Sequence, residues 1–161
     1  MMQNEFYRLA FQMLSLDEGV QRRPYDDATG KVIKAPEGNV TIGVGHNLDA
    51  NPISNAVMLA LLTEDVNEAI QAAKEILGST AWDQLSLNRK LGLINLTFSV
   101  GGSGLRRFKK MIAAIIRKDW STVGQELGSS LWTRQVNRNK TLGKGRDYRV
   151  IKLLKDDEYE Y

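Results

Sequence analysis

From Ser54 to Leu77 the sequence holds neither proline nor glycine, and Val57, Leu61, Leu62, Val66, Ala69, Ile70, Ala73 and Leu77 recur at intervals of three and four. That is the period of one helix face, and it predicts a long helix as the organising element of the chain. At 1.5 Å per residue such a helix runs roughly 36 Å, enough to join two lobes of a small domain. The alternative is two helices divided at Thr63-Glu-Asp65, which reads as a fair N-cap.

The flanking segments complete a predominantly α-helical α+β pattern. Between Asn4 and Leu16, Phe6, Leu9, Ala10, Met13 and Leu14 mark another helix face, and Gly19 follows as its stop, leaving Glu18 at the helix end. Residues 22–48 change character. Asp27-Ala-Thr-Gly30 and Pro36-Glu-Gly38 separate short runs at Lys31–Ile33 and Asn39–Val44, predicting a small antiparallel hairpin or a three-stranded sheet. Further helices are expected at Ser86–Val100, Leu105–Lys118, Trp120–Leu127 and Asp147–Lys155, with Gly101-Gly-Ser-Gly104 breaking the first of these from the second. Residues 1–161 read as one domain, with an N-terminal lobe at about 17–60 and a C-terminal lobe at about 78–161 that also takes the N-terminal helix.

Composition narrows the chemistry. With no cysteine and one histidine, neither a disulfide framework nor a Cys- or multi-His-ligated metal site is available, so no cofactor is expected. No run reaches the roughly 18–20 apolar residues of a membrane span, and no secretory signal is apparent. The net charge of +3 is unevenly spread. Residues 101–150 carry twelve Lys/Arg against three Asp/Glu, whereas residues 1–100 carry eight against twelve. A basic C-terminal half suits an anionic partner, although a solvated helical surface would look the same.

Three motifs crowd the helix-to-sheet junction: Asp17-Glu-Gly19, Tyr25-Asp-Asp27 and Thr41-Ile-Gly-Val-Gly-His46. Glycosidic cleavage needs one carboxyl held protonated for the leaving oxygen and a second, ionised one across the sugar, and Glu18 with Asp27 can fill those roles. His46 has no nucleophilic Ser or Cys motif beside it, so a structural pairing suits it better than catalysis. Gly43-Val-Gly45 lacks the third glycine and the following helix of a dinucleotide fingerprint. Trp82, Trp120 and Trp132 fall on helical segments and read as core anchors.

The ordered series Leu16-Asp-Glu-Gly19, Tyr25-x-Asp27, Thr41-Ile-Gly-x-Gly-His46, Glu64-Asp-Val66, Ile94-Asn-x-x-Phe98, Gly101-x-x-Gly104 with Phe108, and Trp132 followed by Asn137-Arg138 closely resembles the T-even phage lysozyme family. The resemblance covers nearly the whole chain. It implies a lysozyme-like fold that cleaves the β-1,4 bond between N-acetylmuramic acid and N-acetylglucosamine of peptidoglycan. Glu18 would be the proton donor, Asp27 would work with the attacking water and Thr41 would hold it. It also implies that Phe98 and the backbone near Gly45 line the cleft, with Asn47 at a saccharide contact where the family has an apolar residue. An arginine, either Arg138 or Arg146, would face Glu18, and His46 would pair with Asp65. The thirteen residues between Asp27 and Thr41 exceed the T-even spacing, so an enlarged hairpin is expected.

Other functions make different demands. Nucleic-acid binding would call for a helix-turn-helix or for aromatics interleaved with Lys/Arg on strands, and neither is apparent. A lytic transglycosylase would use the glutamate but has no need of the water-holding Asp27 and Thr41. A catalytically dead wall-binding module would not need all three positions filled. What the resemblance implies is a monomeric inverting endolysin acting on bacterial peptidoglycan, without nucleic-acid binding or stable membrane insertion. It would be held in the host cytoplasm until released to the wall, with every residue absorbed by the catalytic fold.

Overall fold

A computed structural model describes residues 2–26, 29–35, 37–136 and 145–161. Helix α1 (Met2–Glu18) leads into a two-stranded sheet of β1 (Thr41–Ile42) and β2 (His46–Asn47). Then come α2 (Asn55–Leu77), α3 (Ser79–Asp83), α4 (Leu87–Leu105), α5 (Lys109–Ile116), α6 (Trp120–Gly128), α7 (Leu131–Val136) and α8 (Arg146–Ile151), and α8 runs directly into a π turn at Lys152–Asp156.

The long helix is continuous. Ser54 Oγ accepts from the N–H of Val57 at 3.2 Å, and the Gly78 N–H returns to the Lys74 carbonyl at 2.8 Å, so both ends have partners for otherwise orphaned backbone groups. Thr63 does not start a second helix, because its hydroxyl donates to Leu59 O, one turn back in the same helix, at 2.7 Å.

Helix α4 is the centre of the core. Residues Leu91 to Thr97 are all buried, as expected of a helix with neighbours on every side. Helix α1 sets Ala10, Met13 and Leu14 against the core, α2 contributes Val66, Ala69 and Ala73, and the π turn supplies Leu153 and Leu154. Each fully buried Leu, Val or Met side chain among them contributes about 1.5–3 kcal/mol, and the alanines less. Trp82 and Trp132 are buried anchors, with Trp132 Nε1 donating to Ser99 Oγ at 2.9 Å, and the Arg89 guanidinium lies over the Trp120 ring at 3.8 Å. At Gly101 the backbone leaves helical geometry with φ 68° and ψ 167°, so the predicted break falls at that residue. Only glycine occupies that region without strain.

The segment between α1 and α2 holds little regular structure. In the sheet Thr41 opposes Asn47 and Ile42 opposes His46, and Tyr25 and Val32 form an isolated antiparallel bridge. No third strand joins the sheet among the described residues. Val32, Ile33, Ile42 and Val44 are exposed, so no buried face fixes a longer register. Side chains hold the segment instead. Arg23 donates to the carbonyls of Leu48 and Asp49, Arg22 Nε donates to Ile53 O at 2.7 Å, and Asp49 Oδ2 accepts from Val40 N at 2.7 Å. No described helix is long and apolar enough to cross a membrane.

Candidate active site

Glu18 is the last residue of α1, and Gly19, at φ 79°, turns the chain away while its N–H closes on Ser15 O at 3.1 Å. The Glu18 side chain is 40% exposed, so it is both anchored and open to solvent. Its anchor is Arg146, the first residue of α8, whose Nη1 donates to Glu18 Oε1 at 2.6 Å. The Arg146 side chain is itself only 9% exposed and is held from below by α4. Arg146 Nε donates to Asn95 Oδ1 at 2.7 Å, and Nη2 donates to the Asn95 carbonyl at 3.3 Å. A planar guanidinium with three fixed acceptors has little rotational freedom, so the carboxylate it grips is positioned as well.

Beneath this pair lies Asp17, whose side chain is fully buried. A buried carboxylate must be neutralised and hydrogen-bonded, and both conditions hold. Arg149 Nη2 donates to Oδ1, whereas Asn95 Nδ2 and the Tyr161 hydroxyl donate to Oδ2 at 2.8 and 2.9 Å. Arg146 Nε is a further 3.8 Å from Oδ2. Burial, and then the charge and hydrogen bond of Asp17, push the Tyr161 phenol well above its usual range and keep it a donor.

Glu18 opens onto a cavity of about 300 Å³ whose walls include Tyr25, Met58, Leu62, Asp65 and Phe98. Asp65 and Phe98 also line a second cavity of about 360 Å³ that reaches Glu68 and Gly101, so the two cavities share these residues. Burial, reinforced by the neighbouring charges of Glu68 and Glu64, raises the Asp65 carboxyl above its ordinary value. An aromatic wall beside hydrogen-bonding carboxylates suits a polar ligand with apolar faces, such as a sugar. Among the described residues no group of three or more His, Asp or Glu could hold a metal ion.

Of the residues expected from sequence, Glu18 and Phe98 share one cavity, whereas Thr41, Gly45 and Asn47 lie on the hairpin and do not line it. Thr41 Oγ1 donates to Asn39 O at 3.2 Å, and Gly45 lies in the turn between the strands. Asn47 Oδ1 accepts from the N–H groups of Asp49 and Ala50 at 2.9 and 3.1 Å, so its oxygen shapes the following turn. Asp27 and Arg138 lie outside the described residues. Beside Asp27, the Asp26 N–H donates to Lys31 O at 2.9 Å and the Gly30 N–H to Asp26 O at 2.7 Å. Of the two candidate arginines, Arg146 meets Glu18. The expected His46–Asp65 pair is not formed, because His46 Nε2 is 2.9 Å from Asn51 O and Asp65 has Glu64 and Glu68 as its charged neighbours. Asn95, Asp17, Arg149 and Tyr161 were not singled out from sequence. Asn95 and Asp17 stand inside Ile94-Asn-x-x-Phe98 and Leu16-Asp-Glu-Gly19, where a polar residue among apolar ones is the available signal.

The phage lysozyme family model matches residues 16–147, which include Glu18, Asn95 and Arg146. Two Dictyostelium discoideum proteins, probable T4-type lysozymes 2 and 1, are 31% and 28% identical over 151 residues, covering 77% of this chain and 84% of each relative. The pre-baseplate central spike protein Gp5 of Enterobacteria phage T4 is 24% identical over 174 residues, a match covering 89% of this chain and 27% of Gp5. With Glu18 held by Arg146 and lining a cavity, this chain belongs to the phage lysozyme family and is a lysozyme-type glycoside hydrolase.

Proposed function

We propose that the enzyme hydrolyses the β-1,4 bond between N-acetylmuramic acid and N-acetylglucosamine in bacterial peptidoglycan, with inversion at the anomeric carbon. The observation that carries the reading is the hold on Glu18, a carboxyl at a helix end with one oxygen fixed by Arg146 at 2.6 Å and the group still partly open. A guanidinium only donates, so Oε1 must accept. In the acid form the proton therefore resides on Oε2, and Glu18 delivers it to the leaving glycosidic oxygen as the C1–O bond breaks.

Asp27 takes a proton from the water that attacks the opposite face. The Thr41 hydroxyl, whose own proton is given to Asn39 O, accepts a hydrogen bond from that water. Phe98 meets the apolar face of a sugar, the Gly45 backbone meets its polar edge, and the Asn47 amide supplies a donor. The roles of Asp27, Thr41, Gly45 and Asn47 rest on the family resemblance. In this reading α2 joins lobes at about 17–60 and 78–161, and the protein works as a monomer on the wall. Its setting is the lysis of an infected bacterium, with the enzyme held in the host cytoplasm until it reaches the wall.

Proton NMR of a fresh digest tests the reading. Inversion leaves about 6.5–9.5 Å between the carboxyls for a water, so the first reducing end from a β-linked glycan is the α-anomer; early β-anomer would refute the inverting step.

A further inference from the structure

We infer that Tyr161 and Asp17 are positioning residues for the reaction, acting on Glu18 through the side-chain amide of Asn95 and the guanidinium of Arg146. The inference rests on the reading of Glu18 as the acid. Asn95 is fully buried on α4 and its two ends face different partners. Its nitrogen donates to Asp17 Oδ2 at 2.8 Å and to the Tyr161 hydroxyl oxygen at 3.1 Å, while its oxygen accepts from Arg146 Nε at 2.7 Å.

An amide can be turned over by rotating one bond, which exchanges donor for acceptor. Turned over here, the NH2 group would face a guanidinium that only donates, and the oxygen would face a buried carboxylate. Asp17 and Tyr161 prevent this, because both accept from the amide nitrogen. The Tyr161 hydroxyl spends its proton on Asp17 Oδ2 at 2.9 Å, which leaves its lone pairs toward Asn95. Arg149 serves the same end. It pairs with the other Asp17 oxygen, and its guanidinium lies 4.8 Å from the centre of the Tyr161 ring, holding carboxylate and phenol side by side. The sequence of contacts is therefore Tyr161 and Asp17 to Asn95, Asn95 to Arg146, with Asp17 also 3.8 Å from Arg146 Nε, and Arg146 to Glu18. None of the first three touches the cavity that Glu18 opens onto.

Tyr161→Phe removes the hydroxyl and keeps the ring over Arg149, so the fold persists. If the network orients Glu18, kcat for purified peptidoglycan falls about tenfold with KM unchanged, the order expected when a reacting group is slightly misplaced. Arg146→Lys keeps the charge but cannot reach Glu18 and both Asn95 acceptors together. In that background Tyr161→Phe should change kcat by less than about twofold, because the link it acts through is already broken. Asp17→Asn should give the same kinetic pattern at a greater cost in stability, because it removes the charge that Asp17 sets against the largely buried Arg149; it and Tyr161→Phe are both assayed at a temperature at which circular dichroism shows them folded. A wild-type kcat in the single variants, a loss confined to KM, or equal losses in both backgrounds overturns the inference. Glu18→Gln run alongside separates the two levels: an active Glu18→Gln enzyme refutes the reading of the acid, whereas an inactive one with an additive cycle refutes only the positioning role.

Discussion

Arg146 joins α8 to α1 and α4 at the candidate active site, and its removal has a cost that follows from its partners. Arg146→Ala leaves Asn95 with two buried acceptors, Oδ1 and the main-chain carbonyl, that lose a charged donor. Such bonds contribute about 1.5–3 kcal/mol each, with the 3.3 Å contact at the low end. The third bond, to a carboxylate 40% exposed, adds no more than about 1 kcal/mol because solvent screens it. Asp17 keeps Arg149 and so remains neutralised. The total is about 3–5 kcal/mol, the range for breaking a buried charged pair from one side. In a chain of this size that lowers the thermal midpoint by roughly 10 °C. Urea unfolding followed by tryptophan fluorescence measures it, with the slope against urea unchanged. A loss below about 1 kcal/mol would mean that the buried bonds to Asn95 are not made in solution.

Ionisation of Tyr161 gives a test at alkaline pH. Its phenol is raised above the ordinary value of 10.0, so the folded protein keeps a proton that the unfolded chain releases. The contribution to stability is full below pH 10 and is lost as pH rises beyond it; Tyr161→Phe should flatten that part of the stability–pH curve, and an unchanged curve would refute it. Gly101→Ala forces a side chain onto φ 68°, ψ 167° and should cost about 1–3 kcal/mol by thermal melting, whereas an unchanged midpoint would contradict the break in α4. Arg107, Lys109 and Lys110 are exposed around α5. Lysis of whole cells should therefore weaken more between about 0.1 and 1 M salt than cleavage of a neutral chitooligosaccharide, as the Debye length shrinks from about 10 to 3 Å, and equal sensitivity would leave that surface merely solvated.

What could be read from the sequence followed the strength of local signals. The span of α2 was legible because Ser54 and Gly78 cap an unbroken apolar stripe, and the break at Gly101 because glycine alone suits its geometry. Helices α3 and α7 were missed. At Ser79–Asp83 and Leu131–Val136 they are too short to show a period, although Ser130 Oγ does cap Thr133 N at 3.2 Å. The expected helix at Asp147–Lys155 begins at Arg146 and becomes a π turn at Lys152, where Arg89 Nε from α4 donates to Leu154 O at 3.1 Å, a tertiary contact that helix propensity does not register. At the site, the place of Glu18 at a helix end was legible from the glycine that follows it. The resemblance narrows the arginine that faces Glu18 to Arg138 or Arg146, but the rest of the grip was not legible, since Arg146 and Tyr161 reach α1 from more than a hundred residues away and only packing decides which side chains arrive there.

The central claim is that this chain cleaves glycan strands by adding water, with Glu18 as the proton donor. Mass spectrometry of muropeptides released from purified peptidoglycan by the wild-type protein and by Glu18→Gln tests it most directly. The account predicts fragments with a free reducing N-acetylmuramic acid from the wild type, and less than roughly a tenth of that release, or a barrier higher by more than about 1.4 kcal/mol, from a folded Glu18→Gln protein. Anhydro products lighter by one water, or undiminished release by the variant, would contradict it.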